Sequence, residues 1–240
     1  MLAAEARDRV IVALDCPLDE GLELAKRLRG HVGWVKVGMT TFYARGPQAV
    51  DAFRGLGFKV FLDLKLYDIP HQVRGAAKAA SLTGADLLTL HAGGGAEMTA
   101  AAREGVEEAA RERGGDRTRL LSVTVLTSMD EDALRSVGVD RPVATQVDAL
   151  ARLAYGAGSD GIVCSPLEAS AMRAALGPDA LIVTPGVRPA GAAVGDQRRV
   201  ATPASAISSG ASHIVVGRPI TQAADPVAAA DAIVDELSAL

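Results

Sequence analysis

Val60-Phe61-Leu62-Asp63-Leu64-Lys65-Leu66-Tyr67-Asp68-Ile69-Pro70 is the stretch that decides how this chain is read. Apolar residues dominate it and no breaker interrupts it before Pro70, so it begins as a strand. Strand side chains alternate, which puts Phe61, Asp63 and Lys65 on one face and Leu62, Leu64 and Leu66 on the other. The leucine face suits burial against helices. The opposite face carries two opposite charges at its C-terminal end, with Asp68 just beyond. Charges on an otherwise apolar strand are costly unless they are paired or functional. A structural ion pair that fixes register and a catalytic pair both remain open on this segment alone.

The rest of the chain bounds the choice. Its 240 residues suit one large α/β domain over 1–240. Hydrophobic residues make up 49%, enough for a sizeable core, while aromatics are only 3%, so Ala, Val, Leu and Ile must do the packing. A net charge of −4 argues against a general nucleic-acid binder but leaves room for a compact basic pocket that takes one phosphate. No apolar run approaches a membrane span, and the opening MLAAEARDRV lacks the apolar core of a signal peptide. Cys16 and Cys164 are too few and too far apart for a disulfide framework or a zinc site, and they read as buried free thiols. The expectation is a soluble, reduced, cytoplasmic protein.

Eight short apolar runs alternate with helical patterns. The strands are expected at Val10–Asp15, Trp34–Gly38, Lys59–Leu66, Asp86–His91, Leu120–Thr127, Gly161–Cys164, Leu181–Thr184 and His213–Gly217. Helical spacing, with glycine or proline at the ends, falls on Asp19–Leu28, Pro47–Leu56, Gln72–Leu82, Glu97–Arg113, Glu131–Ser136, Val143–Tyr155, Pro166–Leu176, Pro203–Ser209 and Pro226–Leu237. Near-continuous apolar strands belong to a buried parallel sheet. Eight βα units in this length predict a TIM (β/α)8 barrel. The runner-up, a doubly wound open sheet, would want a glycine-rich turn after the first strand, where this chain has Asp15-Cys16-Pro17.

In such a barrel the site lies at the C-terminal ends of the strands. There the sequence places Asp15, Lys36, Asp63, Lys65 and Thr127. Singly, Asp15 could cap a turn, Lys36 could snorkel and Thr127 could N-cap the next helix. Their convergence on one rim is what those readings leave unexplained. Loops after the last two strands commonly bind phosphate in this fold, and here they carry Pro185-Gly186-Val187-Arg188 and Gly217-Arg218-Pro219. Arg188, Gln197 and Arg218 are candidate anion ligands, and Gly217 permits close backbone approach. The irregular stretch 185–199 has the composition of a lid. Arg198 and Arg199 read as a solvated basic turn.

Asp63-x-Lys65-x-x-Asp68-Ile69-Pro70 resembles the signature of the orotidine 5'-phosphate decarboxylases. The resemblance extends through Asp15, Lys36, Thr127-Ser128, Thr184 to Arg188, Gly195 to Arg198 and Gly217 to Ile220, nearly the whole chain. It implies a cofactor-free and metal-free barrel enzyme that converts orotidine 5'-monophosphate to uridine 5'-monophosphate in de novo pyrimidine biosynthesis. Lys65 would deliver a proton to C6, within a charge network of Asp63, Asp68 and Lys36. Asp15 and Lys36 would hold the ribose, Thr127 and Pro185 the base, and Gln197, Arg218 and the Gly217 N–H the phosphate, with Arg188 beside it. Ile69 and Gln72 fall among the substrate-binding positions. Asp68 would reach into the site of a second subunit, making the enzyme a homodimer. Tyr67 stands where relatives often have His, and His71-Gln72 where they have Asn-Thr, which bears on the ribose contact across that interface. Nucleic acid and membrane are not expected partners. Mg²⁺-dependent sugar-phosphate lyases share the shorter Asp-x-Lys-x-x-Asp, but they need a further carboxylate where strand two offers Lys36. A non-catalytic nucleotide sensor would have no need of a proton donor.

Overall fold

A computed structural model of the chain describes residues 1–189 and 201–240. Among these, eight parallel strands close into a barrel in sequence order. They are β1 (Val10–Ala13), β2 (Trp34–Gly38), β3 (Lys59–Leu66), β4 (Leu87–His91), β5 (Arg119–Val123), β6 (Gly161–Val163), β7 (Leu181–Thr184) and β8 (His213–Val216). Helix α1 (Ala3–Asp8) precedes the barrel, α2 (Leu18–Leu28) follows β1, and α3 (Met39–Arg45) and α4 (Pro47–Gly55) follow β2. Next come α5 (Pro70–Leu82) after β3, α6 (Gly95–Arg113) after β4, and α7 (Glu131–Ser136) with α8 (Val143–Gly156) after β5. The circuit closes with α9 (Ala169–Leu176), α10 (Pro203–Ser208), α11 (Arg218–Thr221) and α12 (Pro226–Ser238). The fold is the expected TIM barrel.

Strand alternation creates two cores. Residues such as Val35, Leu62, Leu88 and Ile214 point outward and are buried under the helices. Ile11, Trp34, Phe61, Leu87, Leu121, Val183 and Val215 point inward and fill the barrel. The large inward residues sit low. Trp34 meets the His213 ring edge-on at 5.4 Å, and its indole N–H donates to Asp8 at 3.2 Å. Burial pushes the His213 pKa down to about 4, so at neutral pH this end is sealed by an uncharged ring. The upper ends are left for polar side chains.

Several element ends differ from expectation. β5 stops at Val123 rather than Thr127: the Thr124 N–H still reaches the Val163 carbonyl of β6 at 3.3 Å, as does its Oγ1 at 3.1 Å, and after it the chain bends away from the sheet into a turn. Thr127 is therefore in a loop. It is also not the cap of α7, since Asp130 takes that place by accepting the Ala133 N–H at 3.0 Å. β1 ends at Ala13, although the Leu14 N–H still bonds the Lys36 carbonyl. α5 starts at Pro70, with the proline in its first turn. Helices α1, α3 and α11 went unpredicted. α3 buries only Thr41, so it has no apolar stripe to read. Cys164 is buried as expected, but Cys16 is only half-buried.

Helices α5 and α6 carry the flanks of β3 and β4, and they pack closely over Gly105. A Cβ added there would lie 2.3 Å from the Arg74 carbonyl oxygen, which is backbone and cannot swing away. Gly105→Ala is expected to destabilise the chain by about 1–3 kcal/mol through overpacking. Equilibrium urea unfolding measures this, and an unchanged midpoint would show that the helix pair can spread without cost.

Candidate active site

The polar inward residues meet at the top of β1 to β4. Lys36 on β2 is almost wholly buried, and its Nζ donates to Asp15 Oδ1 at 2.8 Å and lies 3.4 Å from Asp63 Oδ2. Lys65 Nζ donates to the other Asp63 oxygen at 2.8 Å. Asp63 thus sits between two ammonium groups. Burial alone would raise its pKa, but Lys36 and Lys65, with hydrogen bonds from Lys65 and Thr89, hold the carboxyl below the usual range. Burial likewise opposes the Lys36 charge, and Asp63 and Asp15 outweigh it, so its pKa lies above the ordinary lysine value. Lys36 does not snorkel. It is an internal cation held by two carboxylates.

Two neighbours make this arrangement possible, and sequence reasoning singled out neither. Gly38 closes β2, and a Cβ there would stand 2.8 Å from Asp15 Oδ1 and 3.2 Å from Lys36 Nζ. The glycine leaves the space in which that ion pair forms. Thr89 is the fully buried inward residue of β4, and its Oγ1 donates to Asp63 Oδ1 at 2.9 Å. A polar residue between inward Leu87 and His91 was the available signal. His91 sits 5.6 Å from the Tyr67 ring, and burial followed by the Lys65 charge lowers its pKa.

Above this cluster the barrel opens into two joined spaces. The smaller, about 170 Å³, is walled by Phe61, Val123, Val125, Leu126, Val163 and Thr127. The larger, about 930 Å³, extends over Asp15, Gly38, Gly186, Arg188, Gly217 and Arg218, with Glu20, Glu23 and Arg27 of α2 on its outer side. Lys36, Asp63, Lys65, Pro185 and Val215 line both. The charged cluster therefore stands where an apolar slot meets a polar cleft. Such a shape suits a planar heterocycle joined to a sugar and an anion.

The structure thus brings together Asp15, Lys36, Asp63, Lys65, Thr127, Pro185, Arg188, Gly217 and Arg218. A Cβ at Gly217 would rest 3.6 Å from Ala13 Cβ, ordinary contact, so packing alone does not demand glycine there. Asp68, Ile69 and Gln72 are exposed and line neither space. The Asp68 carboxylate accepts the N–H of Ile69 at 2.7 Å. Gln197, with Arg198, Arg199 and most of the expected lid, lies outside the described residues. Cys16 lines the cleft, its thiol pKa raised by burial and then by Glu20 and Asp15. Among the described residues no group of three or more His, Cys, Asp or Glu could hold a metal ion, and no helix is long and apolar enough to cross a membrane.

A family model described as "Orotidine 5'-phosphate decarboxylase / HUMPS family" matches residues 8–233. A protein of Anaeromyxobacter sp. (strain K) named orotidine 5'-phosphate decarboxylase is 55% identical over 227 residues, 94% of this chain and 96% of its own. One of the same name from Moorella thermoacetica is 51% identical over 239 residues, 99% of this chain and 95% of its own. The crystal structure of orotidine 5'-phosphate decarboxylase from Lactobacillus acidophilus is similar with a TM-score of 0.84 at 43% identity, over 96% of this chain and 99% of that one.

The electrostatics make a direct expectation. Asp63 has its folded pKa below the ordinary 3.8, so its charge contributes stability that is fully present above that value. The contribution is lost as pH falls through the lower folded value. The Asp63 carboxyl ¹³C signal is therefore expected to stay in its ionised position below pH 3.8, and Lys36→Met is expected to move its titration upward by removing one ammonium. A signal that titrates alike in both proteins would show that Lys36 does not act on Asp63.

Proposed function

The chain belongs to the orotidine 5'-phosphate decarboxylase / HUMPS family, and from that premise we propose that it decarboxylates orotidine 5'-monophosphate to uridine 5'-monophosphate, a step of de novo pyrimidine synthesis. The observation that carries the proposal is the Asp15–Lys36–Asp63–Lys65 cluster at the junction of an apolar slot and a polar cleft that holds Arg188 and Arg218. The pyrimidine occupies the slot beside Thr127 and Pro185. The ribose lies over Asp15 and Lys36, and the phosphate meets Arg218, Arg188 and the Gly217 backbone. By the same resemblance, Gln197 joins the phosphate.

The reaction breaks the bond between C6 and its carboxylate. CO₂ leaves and the electron pair stays on C6, where no adjacent carbonyl absorbs it simply. A fixed cation must stabilise it. Lys65 is that cation: its ammonium favours the developing charge, transfers a proton to C6 and regains one from solvent. Asp63, beside the departing carboxylate, disfavours the ground state and holds Lys65 in line. Remote phosphate binding drives substrate into this cluster. Asp68 and Gln72 are proposed to act in the site of a second subunit, with Ile69 beside them, because one chain leaves all three outside its own cavity. Two lysines and two aspartates then sum to zero charge in a desolvated site. The Mg²⁺-dependent branch of the family fits less well, since Lys36 stands on β2 where that chemistry wants a carboxylate.

Adding orotidine 5'-monophosphate to the purified chain in the presence of a chelator tests this reading. Ultraviolet loss of the orotate chromophore with formation of uridylate is the expected result. A folded protein that leaves the substrate intact would overturn it and point to the Mg²⁺-dependent lyases.

Two variants test the assigned roles. Lys65→Ala is expected to lower kcat about ten-thousand-fold or more with the fold intact, and retained turnover would remove Lys65 as the acid. Asp68→Ala is expected to be similarly impaired. Equal mixing of the two inactive proteins should restore about a quarter of wild-type activity, since half of the dimers regain one intact site of two. If proven subunit exchange restores none, Asp68 does not act across an interface.

A further inference from the structure

We infer that Thr89 is a positioning residue of this site: its hydroxyl ties the backbone of Lys65 to the carboxylate of Asp63 and so aims the ammonium. The inference rests on the decarboxylase reading above. β3 and β4 pair in step at Phe61↔Leu87 and Leu62↔Leu88, but the next pair is Leu66↔Leu90. Four steps along β3 thus answer two along β4, and the segment from Asp63 to Lys65 bulges out of the ladder. Lys65 takes up the bulge with φ +51°, and among the described residues no other non-glycine has a positive φ. An L-residue avoids that conformation unless its surroundings impose it.

The bulge also strips the Lys65 N–H of a strand partner. Thr89 supplies one: its Oγ1 accepts that N–H at 2.9 Å and donates its own proton to Asp63 Oδ1 at 2.9 Å. The same carboxylate oxygen accepts from Lys65 Nζ at 2.8 Å. The result is a closed circuit, from the lysine's backbone through Thr89 and Asp63 to the lysine's own ammonium. A hydroxyl can both accept and donate, which the circuit requires. Valine, of the same shape, does neither. With it, the Lys65 N–H faces a methyl group in a buried setting. Asp63 loses a donor as well, and the bulge loses what holds it. The ammonium then shifts relative to C6, while the ribose and phosphate contacts lie elsewhere and persist.

The test compares the full-length wild type, Thr89→Val and Thr89→Ser with orotidine 5'-monophosphate. For Thr89→Val, kcat is expected to fall about 100-fold with KM within about threefold. Thr89→Ser, which keeps the hydroxyl, is expected to retain kcat within about threefold of wild type. Should the valine variant fail to fold, Thr89→Cys keeps the volume and weakens both bonds, and its kcat is expected to fall about tenfold. An inactive wild type overturns the decarboxylase reading and this inference with it. An active wild type with kcat unchanged in the valine or cysteine variant overturns the inference alone. So does a serine variant as impaired as the valine one.

Discussion

One carboxylate, that of Asp63, is largely enclosed near the top of an apolar barrel, and much of the site follows from that. An isolated charge in such a place would neutralise or pull the strand apart. Asp63 stays ionised because Lys36 and Lys65 approach it from two sides. The pairing is not a cheap source of stability, since removing three charges from water costs about what their attraction returns. Its value is positional. Each ammonium is held by the carboxylate beside it, and the neighbours fit the same geometry: Gly38 has no side chain to crowd the pair, Thr89 offers its hydroxyl to both Asp63 and the Lys65 N–H, and Lys65 takes a left-handed backbone.

The barrel is what allows three charges from neighbouring strands to meet. In a closed parallel sheet the inward side chains of adjacent strands converge, and here the register pairs Lys36 with Phe61 and Gly38 with Asp63. Lys36 and Asp63 are therefore diagonal neighbours, within reach of a long side chain. Below them Trp34, Phe61 and Leu87 fill the interior and exclude water. The low dielectric that makes the charges expensive also strengthens every interaction among them. The apolar floor and the polar mouth work together, since a wetter floor would screen the field of the two lysines.

Much of this was legible in the sequence, for reasons that can be named. β2, β3 and β7 fall on their expected residues because each is an apolar run with breakers or turn residues on either side. Asp63 and Lys65 stood out as charges on a strand face, and Lys36 as a charge within an apolar strand. The left-handed backbone of Lys65 was not legible. It arises from the way β3 pairs with β4, and no local preference of Leu-Lys-Leu encodes it. Thr89 was missed for a related reason: in isolation it is a common β-branched strand residue, and its role appears only beside the bulge. The end of β5 was overrun because Thr124 to Thr127 keeps strand composition where the chain has already left the barrel sheet. Asp68, Ile69 and Gln72 were named by resemblance, and a single chain gives them no place in its cavity.

Charge balance gives those exposed residues a physical context. Asp15 is mostly open to water, so solvent screens its contribution. The more enclosed set is then Lys36 and Asp63 with the partly exposed Lys65, and it carries a net single positive charge. A surplus cation beside the slot favours an anionic substrate, yet it is costly to keep dry before substrate arrives. One further carboxylate brings the set to neutrality. Asp68 directly follows β3 and Tyr67, at a corner where Tyr67 and Ile69 also leave large apolar side chains in solvent. On the proposed reading, a second chain covers that corner, burying both side chains and bringing Asp68 of each subunit toward the other's lysines. Association and neutralisation are then, on that reading, a single event, and a separated chain would hold an open, unbalanced version of the same site.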